Sequence, residues 1–454
     1  MDSLQPRYDK ESTRGKVLNS TTFAWSLWDW GSAAFNAVAT TFVFSVYLTK
    51  DGVFMAKEDA TLRLSIGLTI AGIIIALTAP ISGQRADRKG KGTFWLGVNS
   101  FFVFLCLLGM VFVAPEGPLG AEGMLWLGVA CLGIGNIFFE FASVNYNAML
   151  SRVSERKYMG RVSGLGWGMG YIGGIVLLII LLYGFISDNA LIETSGENGW
   201  TIRVCMLVAA FWFGAFALPV LFKVRGRRVA GVEDDIAPEG IVDSYKHLWG
   251  TVKMLHKIAP DTLKFMIASA IFRDGLAGVF TYGAILAATV FAFTDSEVVL
   301  FGVVANVVAG IATIAFGALD DKIGPRKVIL GSLLSMILCA MAVYFFHDGG
   351  KIVFWTVGMA LCVFVGPTQS ASRSYLGRLI PKGREGEVFG LYATTGRAVS
   401  FLAPAMFALS VALGKMFVPD GVSAQHWGIV GISIILLAGL LLMLPVKDPQ
   451  LHSD

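Results

Sequence analysis

Four nearly unbroken apolar runs, Phe94 to Val113, Gly170 to Phe185, Met206 to Phe222 and Ile429 to Leu444, restrict this chain more than any other feature. Each reaches or approaches the ~20 residues that a helix rising 1.5 Å per residue needs to cross ~30 Å of hydrocarbon. One such helix can be buried in a soluble core; a dozen in series cannot. The composition points the same way, with 55% hydrophobic and 15% charged residues, where a soluble chain carries about 25% charged. The pattern predicts an all-α membrane protein. Twelve spans are expected near 23–48, 63–83, 94–113, 124–147, 161–186, 201–222, 264–292, 298–317, 328–346, 352–371, 388–411 and 426–445.

Charge sets the expected orientation. With Met1 in the cytoplasm, most of the 36 Lys and Arg fall in cytoplasmic segments. The opposite face keeps only Lys50, Lys57, Arg63, Lys351 and Lys415. That asymmetry is the positive-inside pattern, so both termini are expected in the cytoplasm, and it accounts for the net charge of +4 without a nucleic-acid partner. Residues 1–20 lack the apolar core of a cleavable signal peptide, which makes the first helix its own insertion signal.

The expected organisation is a cytoplasmic segment 1–22, a six-helix bundle 23–222, a linker 223–263, a second six-helix bundle 264–446 and a cytoplasmic tail 447–454. The linker opens with Lys223, Arg225, Arg227 and Arg228, as expected beside anionic lipid. It continues with Ile241, Tyr245, Leu248, Trp249, Val252 and Leu255 at helical spacing. This second part reads as an amphipathic helix on the cytoplasmic membrane surface.

The two halves repeat. Gly83, Asp87, Arg88 and Gly90 follow the second span, and Gly317, Asp321, Gly324 and Arg326 follow the eighth in a similar G-x-x-x-D-x-x-G pattern. Leu150, Arg152, Gly160, Val162 and Gly164 are answered by Leu376, Arg378, Gly386, Val388 and Gly390. Matches in corresponding loops indicate parallel repeats related by an axis along the membrane normal.

With these two loops and twelve spans, the chain resembles the major facilitator superfamily. Four features make it similar, more narrowly, to the vacuole effluxer family: Trp28-Asp29-Trp30-Gly-Ser32 in the first span, Gly160-Arg-Val-Ser163-Gly164, Gln369-Ser-Ala-Ser-Arg373, and Phe389-Gly-Leu-Tyr392 through Gly396-Arg397. The resemblance implies alternating access, spans one, four, seven and ten around a central cavity, and loop contacts that hold the cytoplasmic side closed. It also implies amino-acid efflux. The seventh span departs from the family pattern, reading Phe272-Arg273-Asp274-Gly275 where relatives often have Tyr-Asn-Asp-Gly.

Polar residues form stripes inside the spans. Asp29, Ser32, Asn36 and Thr40 share a face of the first by spacing; Asn136, Glu140, Ser143 and Asn147 share one of the fourth; Gly366, Gln369 and Arg373 align in the tenth. A charge at bilayer depth costs from about 2.5 to above 10 kcal/mol, so Asp29, Glu140, Arg273, Asp274 and Arg397 are expected to face protein or water. Two readings stay open for them. Glu140, Asp29 or Asp274 carries a proton while Arg273 or Arg397 holds a carboxylate or phosphate; or the same groups neutralise one another between helices. Asp87 and Asp321 are placed to accept hydrogen bonds from a neighbouring helix N-terminus. The glycine run Gly164 to Gly174 permits close helix packing, and Pro404 is positioned to kink the eleventh span.

Enzymatic readings find no support. The five cysteines lie in apolar spans without zinc-like spacing, the five histidines lie in loops or at span ends, and no Walker-type motif is present. The chain is therefore expected to be a monomeric transporter without cofactor or metal. Its partners are a small-molecule or lipid substrate, membrane lipids and protons, and short loops favour a prokaryotic inner membrane over a vacuolar one.

Overall fold

The computed structural model describes residues 19–88, 90–187, 189–224, 240–381, 383–419 and 423–447, without the side chains of 88, 241, 295 and 296. Residues 1–18 of the expected segment 1–22, most of the linker's basic cluster, the side chain of Arg88 and most of the tail lie outside the described residues.

Among those residues all regular structure is helical, the form in which a segment in lipid satisfies its own backbone groups. We number the helices α1 (Ser20–Thr49), α2 (Lys57–Arg88), α3 (Gly92–Met110), α4 (Gly120–Ala148), α5 (Met159–Leu181) and α6 (Trp200–Lys223). The linker helix α7 (Ile241–Ile258) follows. Then come α8 (Pro260–Thr289), α9 (Asp295–Ile323), α10 (Pro325–Phe345), α11 (Met359–Leu379), α12 (Glu385–Gly414) and α13 (Gly428–Met443). Eleven are long and apolar enough to cross a membrane by length and composition alone. The twelfth expected span is α8, a 30-residue helix whose Arg273 and Asp274 dilute its apolar character.

Local chemistry sets the helix ends. Asn19 accepts from the N–H groups of Thr21 and Thr22 and closes a capping box at α1. Thr294 and Glu297 do the same at α9. The last glycine of each acidic loop has a positive φ, 59° at Gly90 and 91° at Gly324, which a residue with a Cβ adopts only under strain.

Two hydrophobic cores form. One is built from residues between Trp25 and Val224. The other is built from residues between Leu255 and Val446, and it takes in Ile75, Ala79, Val144 and Ala148 where α2 and α4 cross α12. The halves meet along α5 with α9 and α2 with α12. Hydrogen bonds between them, among the described residues, run from the acidic loops as far as Tyr171–Gln369 and Glu140–Arg397.

The linker helix departs from a simple amphipathic strip. Its Ser244, Leu248, Thr251 and Leu255 are buried against the protein, while Tyr245 and Trp249 point outward. The apolar residues seen in the sequence are thus divided between two faces.

Candidate functional site

Three layers of polar contacts cross between the halves, from the loops inward. In the outermost, each loop aspartate caps a helix of the other half. Asp321, at the end of α9, accepts from the N–H groups of Gly160 and Arg161 in the first turn of α5 at 2.8 and 3.2 Å. Asp87, at the end of α2, accepts from the N–H of Glu387 in the first turn of α12 at 2.9 Å. First-turn amides have no partner in their own helix and lie at its positive end, so a carboxylate from outside satisfies both needs.

The motif glycines make this approach possible. A Cβ on Gly83 would lie 1.9 Å from the Gly386 carbonyl oxygen, and one on Gly317 would lie 2.8 Å from that of Gly160. Around Asp321 the contact is reinforced. Arg378 reaches Asp321 at 2.9 Å and Asp320 at 2.5 Å, and Arg161 lies 3.4 Å from Asp321. Arg326 does not join this layer. It donates to the Val446 and Leu444 carbonyls at 2.6 and 2.7 Å and so ties α10 to the end of α13 within its own half.

The second layer is centred on Arg373 of α11, whose side chain is 5% exposed. It donates to Asp29 at 3.1 Å, Asn147 at 3.2 Å, the Ser163 hydroxyl at 3.0 Å and the Ser163 carbonyl at 2.7 Å. Trp25 stacks on Tyr146 at 4.4 Å, and the guanidinium lies 4.8 Å from the Trp25 ring and 5.6 Å from the rings of Tyr146 and Trp167. Tyr146 donates to Asp29 at 2.9 Å. An arginine from one half is thereby enclosed in a cage built by the other. Gly166 leaves room for it, since a Cβ there would lie 2.7 Å from both Arg373 and Asp29.

The third layer lies farthest from the acidic loops. Glu140 of α4 and Arg397 of α12 pair at 3.2 Å with side-chain exposures of 21% and 36%, which makes this the most accessible ion pair joining the two halves among the described residues. Just beyond Arg397, α12 breaks at 399–401 between two helical pieces, Glu385–Ala398 and Leu402–Gly414. Pro404 accounts for the break: it has no N–H for the Ser400 carbonyl, and its ring clashes with that turn. The second piece is capped from α8, where Asp274 accepts from the N–H of Ala403 at 2.6 Å. Arg273 lies 3.6 Å over the Tyr392 ring and donates to the Tyr392 carbonyl at 2.8 Å. It occupies space that a Cβ on Gly396 would fill, 2.1 Å from the guanidinium.

The stripes therefore separate on folding. Asp29 and Arg373 come together, as do Glu140 and Arg397, while Asp274 caps a helix and Arg273 stacks on an aromatic ring. Gln369 accepts from Tyr171 at 2.8 Å. Ser32 is buried and donates to the Asp29 carbonyl in its own turn, so it leaves the proposed lining; Asn36 is exposed and Asn136 half-buried. Farther along α1, a π-helix over Ala34–Phe42 breaks the 3.6-residue period that aligned Asn36 and Thr40 with Asp29. The cage residues Trp25, Tyr146 and Trp167 were not anticipated, because aromatic residues in apolar spans carry no distinguishing pattern.

Comparison with known proteins follows this geometry. A family described as vacuole effluxer Atg22 like matches residues 141–447, and the Major Facilitator Superfamily matches residues 5–178. The chain is 28% identical over 402 residues to the uncharacterized MFS-type transporter YxiO of Bacillus subtilis (strain 168), covering 86% of this chain and 88% of that one. It is 26% identical to autophagy-related protein 22-2 of Aspergillus clavatus over 56% of this chain, and the match spans 44% of that longer protein. Among solved structures it is similar to a bacterial homologue of the iron transporter ferroportin in an outward-facing state, with TM-score 0.67, 16% identity and coverage of 95% and 99% of the two chains. The proton:xylose symporter XylE gives TM-score 0.68 at 14% identity, with coverage of 96% and 97%. At these identities the structural likeness shows the fold.

Proposed function

The chain belongs to the vacuole effluxer Atg22-like family within the major facilitator superfamily, and from that premise we propose that it is a proton-coupled secondary transporter of a small solute bearing carboxylate and amino groups. That it is a membrane transporter rather than an enzyme follows from the family. The substrate and coupling rest on one observation, the accessible Glu140–Arg397 pair between the halves, which we place at the floor of a solute cleft open opposite the loops.

This pair joins the two halves where the cleft admits solute. A bound carboxylate takes Arg397 by a forked contact, and Glu140, left in a poorly solvated site without its cation, needs a new partner. The substrate's amine or a proton supplies it. Either exchange removes a link between the halves and lets them rock. The crossed caps at Asp87 and Asp321 hold the loop side closed in the state seen here, and re-form once per cycle. We place both termini and the loops in the cytoplasm from the Lys and Arg distribution. On that orientation the cleft opens outward, and a prokaryotic cell membrane is the setting. The chain works as a monomer.

The test is uptake and counterflow of a labelled amino-acid panel in proteoliposomes, with and without a pH gradient. Gradient-driven accumulation is expected in the wild type and not in Glu140→Gln or Arg397→Ala. Accumulation unchanged in both variants sinks the assignment of the site; no transport of any panel member sinks the substrate class.

A further inference from the structure

The outward face of the linker helix carries a groove that the transport cycle does not use. Trp249, Val252, Lys253, His256 and Lys257 of α7 line it together with Leu263 of α8. The residues of α7 recur at spacings of three and four and so share one side of the helix. Trp249 is 60% exposed, and Lys253 lies 5.6 Å from its ring.

The charges in this region are not balanced. Lys246 pairs with Asp243 at 3.1 Å, and Lys264 pairs with Asp261 at 3.4 Å. Among the described residues, Lys253 and Lys257 have no carboxylate within ion-pair distance, and no acidic residue lines the groove. Two ammonium groups beside an exposed indole form a binding surface for an anion attached to an apolar body. The surroundings continue that logic, since Ile258 at the end of α7 and Ile267 of α8 are exposed apolar side chains.

We propose that this groove binds the headgroup of an anionic phospholipid in the leaflet on the loop side. Lys253 and Lys257 contact the phosphate, and Trp249 lies at the headgroup level, where indole rings concentrate. The buried face of the same helix meets the closed gate. Ser244 lies 3.4 Å from Arg85 of α2, and Thr251 accepts from Arg384 at the start of α12. The lipid site and the gate therefore share one rigid element.

The experiment uses the full chain, reconstituted in vesicles of phosphatidylcholine with phosphatidylglycerol, released into detergent, and assayed for retained lipid by native mass spectrometry. Phosphatidylglycerol should be retained in preference to phosphatidylcholine. Lys253→Gln with Lys257→Gln should weaken its retention by roughly thirty-fold, at about five-fold for each lysine. Lys246→Gln, which matches the charge loss of either groove lysine alone on the same helix, should leave it unchanged. Soluble glycerol phosphate should not displace the lipid. Equal retention of both lipids, an equal loss in Lys246→Gln, or displacement by glycerol phosphate each overturns the proposal. Should the double variant fail to fold, quenching by brominated phosphatidylglycerol decides instead. The quenched emission lost in Trp249→Phe must be a distinct component of the wild-type signal, and its absence overturns the site.

Discussion

Arg373 uses four of its five N–H groups on partners supplied by the other half. Its planar fork reaches all of them at once; a lysine offers a point charge that satisfies Asp29 and leaves Asn147 and the Ser163 carbonyl without their donor. Arg373→Ala should destabilise the protein by about 3 kcal/mol, because it leaves the mostly buried Asp29 without its cation. Arg373→Lys should recover only part of that loss. Thermal unfolding in detergent reads both, and an unchanged midpoint in Arg373→Ala would show that the cage does not hold the halves together. Sequence reasoning identified both charges, since charges are expensive at that depth, but not their pairing across 344 positions. Ser163 lay within a motif already recognised, yet nothing in its spacing marked its carbonyl as a ligand for Arg373.

At the scale of the helix, the break in α12 distinguishes two roles for Asp274. If it acts as a cap for Ala403, asparagine should serve nearly as well as aspartate, and alanine should cost about 1 kcal/mol. Asp274→Asn should thus keep near wild-type transport and stability, whereas Asp274→Ala should lower both. Loss of transport in Asp274→Asn with stability intact would instead make Asp274 a proton carrier. Helices were the most legible part of the fold, because length and apolar content suffice to place a span. Their irregularities were less so. Pro404 announced a kink, but the π-helix of α1 has no sequence mark, and with it went the alignment of Asn36 and Thr40 with Asp29. The linker helix was legible as amphipathic, but which apolar side chains meet protein depends on α2 and α8, which its own sequence does not encode.

At the scale of the molecule, closure of the loop side rests on two reciprocal caps. Asp87→Ala and Asp321→Ala should each shift the closed-to-open ratio by about five-fold, and the double variant by about thirty-fold, if each cap contributes about 1 kcal/mol. Spin labels at Lys157 and Lys322, both exposed on either side of the α5–α9 seam, should report a longer distance as the open population grows. A distance distribution unchanged in the double variant would remove the caps from gating. The sequence repeat made these aspartates conspicuous and suggested helix N-termini as their targets. That each target lies in the opposite half is a property of the assembled bundle.

The crossed caps also bear on origins. In a two-fold dimer of identical chains, every contact occurs twice, with the roles of the copies exchanged. One acidic loop and one helix start, meeting across such a dimer, would generate both contacts at once. The present chain retains that exchange within a single polypeptide: Asp87 reaches forward to α12, and Asp321 reaches back to α5. A six-helix unit paired with a second copy of itself would have the same geometry. The two seams are not identical, since Asp320 gives Arg378 a second carboxylate on the α5–α9 side.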